Sequence, residues 1–501
     1  MKSIRLAAFV AVAVSAALPI GSAGAITGSS APNVDLSTDQ AVMSYLTSAG
    51  IDPNGVVIQR GAFNYAGPNC PGTGWTCTTS TKVVQVAQPG GQNQVACGAG
   101  ASLIPESYLT ADLTQAQVSQ LVAASQALPL TSCTVVQGGG AQTNTTRCAM
   151  RETTEPTAAE DCTILQPGTD GDPDASNRAF VLEIVDQNTA SEQQATQNAR
   201  IEQTALAGAR NFAHVIQSVK QSTKLGADQT QQGDQTTCES QSSDAGNEFS
   251  QVIQSLAQKA QADGTPFQEQ NAAFVPKTCT APAIGSTANT FAAVSQDSTK
   301  GALESHVNQS HKLDARATNA TGGSQTQGTP PPDGGVQGKV LQSSAGVAKS
   351  FGLQNEDQNL AGNSPAITQK QFGPLTCCST QSTNPSDDIN IDQMSSQSAV
   401  TSALPLGDLS TAVANPDALQ ETLLQGNFET SGDGKITHKA KQNAGSDTAS
   451  CPPGEISSEG TQICSLTTFG VVGVFFAEFP PACDEGQFFN PTTGKCESEI
   501  D

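Results

Sequence analysis

Cysteine carries the most chemistry in this sequence. Fourteen are present, an even number that lets every one pair, and an exported chain would hold them as disulfides. The clearest pairs stand near the C-terminus, Cys451 with Cys464 and Cys483 with Cys496. Each pair encloses twelve residues, and each has a glycine, Gly454 or Gly486, three positions after its first cysteine. Two disulfide hairpins are expected there. Cys70 and Cys77 bracket a small loop around Trp75 in the same manner. Zinc is disfavoured: no Cys-x-x-Cys pair exists, and adjacent Cys377 and Cys378 cannot easily share one tetrahedral ion. A catalytic thiol would want a histidine partner, and His214, His306, His311 and His438 all lie in Gln/Ser-rich surroundings.

The carboxylates offer calcium as the second chemistry. Glu429, Ser431 and Asp433 precede Gly434 and Ile436 at the spacing of part of an EF-hand loop. Ala440 stands where the bidentate Glu belongs, so a plain turn is the favoured account and calcium the alternative. Asp170, Asp172 and Asp174 alternate in a Gly/Pro loop and read as a solvated acidic turn. Gly-x-Ser-x-Gly and His-Glu-x-x-His are absent, and no cofactor is expected. With 46 acidic against 23 basic residues, net charge −23, the chain offers no basic face for nucleic acid.

The elements that must position these groups begin after residues 1–25. Lys2 and Arg5, the apolar stretch Leu6 to Ile20 and then Ala23-Gly-Ala25 have the order of a secretory signal peptide, with a mature start near Ile26. No apolar stretch reaches the roughly 20 residues of a spanning helix, so no transmembrane anchor is expected. Residues 26–53 read as a leader and a short helix at about 38–49, where Ser37-Thr-Asp-Gln40 has capping-box spacing. Residues 54–168 read as one cysteine-rich β module, with a helix within 106–128. Its segments Cys133-Thr-Val-Val-Gln137 and Cys162-Thr-Ile-Leu-Gln166 look like strands that begin at a staple.

Residues 175–315 are glutamine-rich and repetitive. Phe212-Ala-His-Val215-Ile-Gln217 and Phe249-Ser-Gln-Val252-Ile-Gln254 share Phe-x-x-Val-x-Gln, and Phe291-Ala-Ala-Val294-Ser-Gln296 is a weaker third copy. Phe212, Val215, Ile216 and Val219 fit the i, i+3, i+4, i+7 face of a helix, while Ala213, Val215, Gln217 and Val219 fit one face of a strand. The regular Gln and the Asn and Gly punctuation decide for β, since stacked Gln and Asn can form amide ladders from rung to rung. Aromatic residues are only 4% of the chain, so such ladders and disulfides must substitute for a large apolar core.

Gln59-Arg-Gly61-Ala-Phe-Asn64-Tyr-Ala66 and Asn211-Phe-Ala213-His-Val215-Ile-Gln217 resemble pieces of the curlin repeat, Gln-x-Gly-x-x-Asn-x-Ala-x-Val-x-Gln. The resemblance implies a secreted β-solenoid that self-associates into adhesive fibres. More loosely, the chain is similar to uncharacterised cysteine-containing exported proteins of Gram-positive bacteria. The stretch Gly486 to Cys496 resembles extracellular chitin-binding cysteine repeats.

Downstream, residues 316–340 contain Thr329-Pro-Pro-Pro-Asp-Gly-Gly335 and are expected to form a hinge. Residues 341–445 read as polar and loop-rich, with a helix at Asp417 to Leu424, and residues 451–501 as the hairpin pair. The expected fold is mainly β: imperfect β-solenoid-like Gln/Asn-rich repeats between disulfide-stapled modules, a few short helices and long disordered loops. The expected function is a secreted structural or adhesive surface protein without catalytic activity, partnered by itself or by cell-surface components. A calcium- or glycan-binding module is the alternative, and a secreted hydrolase the third.

Overall fold

A computed structural model describes residues 34–469, apart from internal stretches of which the longest are 271–276, 329–335 and 402–412, together with 487–490 and 495–498. Its body is one 24-stranded sheet that folds into stacked layers. Each layer is an arch: a first arm, a corner, and a second arm that turns back so that the two arms face each other. Successive layers pair in parallel and in register.

Ten layers can be followed. Layers 1 to 3 are single bent strands, Val57–Ala66, Lys82–Cys97 and Ser132–Glu152. Layer 4 joins Thr157–Gln166 to Ser176–Thr189, layer 5 Glu192–Ala205 to Arg210–Thr223, and layer 6 Asp228–Ser243 to Glu248–Asp263. In layers 7 and 8 the first arm is split: Phe267–Gln270 with Thr290–Ser298, and Gly323–Gln327 with Val336–Ser344. Their second arms are Leu303–Thr318 and Ala348–Gly362. Layer 9 joins Ile367–Gln381 to Asp388–Thr401, and layer 10 joins Leu419–Glu429 to Asp433–Asn443. Antiparallel strands then close the stack: Glu459–Phe469 on the first arm of layer 10, Thr448–Ser450 and Gly454–Ile456 on the second.

Strict alternation makes these segments strands. In Glu192–Ala205 every second residue, from Gln193 to Ala205, is buried between the arms. The helix-like spacing of Phe212, Val215, Ile216 and Val219 has a different origin. Val215 and Val219 point inward while His214 and Ile216 are also buried on the outer face, so this arm is covered on both sides. What covers it is the excursion between layers 2 and 3. Its helix α2 (Gln115–Ala124) starts at a Thr114–Gln117 capping box and sets Val118 and Leu121 in one cluster with Phe180, Leu182, Ile184, Ile216 and Ile253. On the opposite side α1 (Asp39–Ser48) packs Val42 and Leu46 on Val84, Val136 and Leu165. Its N-cap is Thr38, one residue beyond the Ser37 that the capping-box spacing suggested.

Four expectations need correction. The third repeat copy is not equivalent to the others: Phe212 and Phe249 are register partners on second arms, whereas Phe291 lies on a first arm opposite Thr236. The helix expected at 417–424 is part of the strand Leu419–Glu429, because Gln420 and Leu424 take interior ladder positions. The supposed hinge at 316–340 contributes Gly323–Gln327 and the start of Val336–Ser344 to the stack, and its Pro run lies outside the described residues. The loop-rich reading of 341–445 gives way to the strands of layers 8, 9 and 10. Residues 54–168 and 175–315 are also continuous in register, with Ile164 opposite Ile201.

Candidate functional site

The interior between the arms is the feature that the sequence serves most consistently. At the corner end of each first arm stands a glutamine, and each donates its Nε2 to the Oε1 of the glutamine one layer earlier. The column runs Gln59, Gln85, Gln137, Gln166, Gln203, Gln241, Gln296, Gln342, Gln381, with N–O distances of 2.7 to 3.0 Å, and Thr430 closes it by donating to Gln381 Oε1 at 3.1 Å. The second amide hydrogen reaches across to a backbone carbonyl of the facing arm, for example Gln241 to Phe249 O at 2.9 Å. Every amide therefore ties two layers and two arms, which satisfies polar groups that burial would otherwise penalise.

A facing asparagine column runs Asn64, Asn93, Asn144, Asn177, Asn211, at 2.8 to 2.9 Å. Its amides donate in the opposite sense, toward later layers. It ends where Glu248 and then Leu303 occupy the same register position. Further glutamine columns fill both arms, among them Gln217–Gln254–Gln309–Gln354–Gln393 and Gln193–Gln231–Gln270–Gln327–Gln371–Gln420.

Some columns contain carboxylates. Glu160 Oε2 accepts from Gln197 at 2.8 Å, and burial raises its pKa to about 8. Burial likewise raises Glu239, which accepts from Ser250 Oγ, to about 7, and Glu356 to about 8. Glu356 faces buried His311 at 4.0 Å, and burial lowers that imidazole to about 3, so both are held neutral. His438, in register with Gln393, is lowered to about 4 by burial.

The outer face of the second arms carries a row of rings: Phe180, His214, Phe249, His306 and Phe351, with centroids 4.9 to 5.7 Å apart. His214 Nε2 lies 2.8 Å from Ala111 O of the excursion, and burial lowers its pKa to about 4. Beside this row a groove of about 740 Å³ is lined by Arg178, Arg210, Phe212, Phe249, Glu304 and Lys349. Arg178 is engaged by Glu106 at 2.7 Å.

The residues singled out by spacing fall as follows. Glu429 ends the first arm of layer 10, Asp433 opens its second arm, and Ser431 lies outside the described residues. The helix and twelve-residue loop of an EF-hand are replaced there by a strand, a short corner and a strand. Asp172 and Asp174 are exposed in a turn closed by an Asx hydrogen bond of 2.9 Å. Cys70–Cys77 is a disulfide around Trp75, whose ring meets Phe63 and Tyr65. Cys464 and Cys496 fall in the strands Glu459–Phe469 and Lys495–Ser498, while Cys451 and Cys483, and with them the two expected pairings, lie outside the described residues. The Cys97–Cys133 disulfide is not legible from spacing, because the α2 excursion separates its halves in sequence. The recurring Cys-Thr start of two adjacent layers was its one visible trace. Comparison with protein-family models, curated proteins and solved structures gives no match.

Proposed function

We propose that the chain is a secreted structural or adhesive protein: a layered stack that displays its outer faces and associates through its ends, in the manner that the curlin-like motifs imply. The observation that carries this reading is the column from Gln59 to Gln381, which holds nine successive layers in one register. Such an interior fixes shape and leaves the outer faces and the two ends for contact with a surface or a second copy.

Electron microscopy and thioflavin binding on the chain from Ile26 onward test it. Ten layers at about 4.8 Å each give a stack roughly 50 Å tall, about as tall as its arms of 14 to 16 residues are long, so elongated particles arise only when stacks join. The expected result is stacks that join end to end into filaments and bind dye as concentration rises. A strictly monomeric, dye-silent product at high concentration overturns the reading.

The groove favours a glycan-binding module as the second reading. Partly exposed Phe212 and Phe249 stand one layer apart beside Arg210 and Lys349, the combination of ring faces and donors that carbohydrates use. Retention on chitin or peptidoglycan, lost in Phe212→Ala/Phe249→Ala, would support it; no retention by the parent chain removes it.

A further inference from the structure

Layers 2 to 4 hold four cysteines in one interior compartment. Cys97, on the second arm of layer 2, is bonded to Cys133, on the first arm of layer 3, with Cα atoms 6.4 Å apart. Cys148, on the second arm of layer 3, is the register partner of Cys97. Cys162, on the first arm of layer 4, is the register partner of Cys133. The pair Cys148/Cys162 is therefore the bonded pair moved along the stack by one layer. Both thiols are fully buried in the cluster that contains Cys97 and Cys133, and they are hydrogen-bonded to each other. Cys148 Sγ also lies within 4.8 Å of both sulfurs of the formed bond.

We propose that Cys148 and Cys162 form a second interior disulfide, the one-layer translate of Cys97–Cys133, so that consecutive cross-arm staples tie layers 2, 3 and 4. Geometry selects this pairing over the lateral ones. Register partners on parallel strands keep their Cβ atoms about as far apart as the strands, about 4.8 Å, beyond the roughly 3.5–4.5 Å that a disulfide needs. Residues on facing arms aim at each other, and Cys97–Cys133 shows that the gap between the arms fits the bond.

The chemistry is an oxidation. Two S–H bonds break and one S–S bond forms. The two electrons and the two protons pass to an acceptor disulfide, that of oxidised glutathione or of a thiol oxidase, which becomes two thiols. The bonded Cys70–Cys77 and Cys97–Cys133 place the folded chain in surroundings that sustain such a step. Burial raises both thiols, Cys162 the further, so neither readily attacks an acceptor disulfide once the layers have closed. Oxidation accordingly precedes closure of the stack.

Peptide mapping of the full chain tests this. The protein is folded in a glutathione couple, quenched with acid, denatured in N-ethylmaleimide and digested without reductant. The expected result is one linked peptide holding Cys148 and Cys162, two hydrogens lighter than its parts and split by reductant, with maleimide on neither. Maleimide on both residues in most molecules overturns the proposal, as do lateral Cys97–Cys148 and Cys133–Cys162 links. A Cys97→Ala/Cys133→Ala chain separates direct oxidation from exchange with the neighbouring bond. It is expected to form Cys148–Cys162 still, and free thiols in that variant after folding in oxidised glutathione would also overturn it.

Discussion

Gln241 illustrates how much one side chain carries. Its Nε2 donates to Gln203 Oε1 and to Phe249 O, and its Oε1 accepts from Gln296, at 2.7 to 2.9 Å. Gln241→Ala removes three buried hydrogen bonds and is expected to cost about 3 kcal/mol, read as a lower guanidinium midpoint. Exposed Gln115→Ala, on α2, should stay within about 0.5 kcal/mol of the parent. The buried ionisable groups give a pH dependence whose sign follows from their shifts. Glu160, Glu239 and Glu356 have folded values of about 8, 7 and 8, above the ordinary 4.5, so the folded chain holds protons that the unfolded chain releases. Their contribution is fully present below pH 4.5 and is lost as pH rises through about 8. His214, His311 and His438, depressed to about 4, 3 and 4, contribute stability above pH 6.5 that is lost as pH falls toward those values. The two sets oppose each other between pH 4.5 and 6.5. Between pH 6.5 and 8 only the glutamates of this set change, so the melting temperature should fall across that interval, and Glu356→Gln should fall less steeply. A melting temperature that rises there would refute the assignment.

At the scale of elements, corners and coverings set the limits. A Cβ on Gly301 would lie 1.7 Å from Gly246 O in the layer below, and one on Gly246 would lie 1.6 Å from Ala209 O. Gly301→Ala should therefore destabilise by about 1–3 kcal/mol through a forced shift of the corner, measured by thermal melting. The sequence disclosed the repeating Gln, the β preference and both helices, because these follow from local spacing and capping. It hid which arm a repeat belongs to. Phe291 and Phe249 share a motif, yet the motif is an interior alternation common to both arms. The helical face of Phe212 to Val219 was equally ambiguous, since an arm buried on both sides adds outer apolar residues to the inner set. At 417–424, Leu and Gln favour helix locally, but the column that places Gln420 2.7 Å from Gln371 overrides that preference. The clustering of Cys97 with Cys133, Cys148 and Cys162 was illegible, because it depends on stacking across an inserted helix.

For the whole molecule, each layer touches chiefly its two neighbours, so stability is a sum of nearest-neighbour interfaces and the ends decide what happens next. The last parallel layer is covered by the antiparallel strand Glu459–Phe469, which pairs along Leu419–Glu429. An in-register parallel newcomer finds that edge occupied. Ending the chain at Asn443 should bare it and produce dye-binding filaments at concentrations where the longer chain stays in single or few stacks, as seen by electron microscopy and thioflavin kinetics. Equal behaviour of the two chains would mean that this edge does not govern association. The glutamine columns described above add a vectorial property. Their amides all donate toward layer 1, so the amide dipoles of each column add along the stack instead of cancelling. Two stacks meeting like pole to like pole would set these column dipoles against each other. Only a head-to-tail meeting continues the chain of dipoles, and any filament grown this way has a direction.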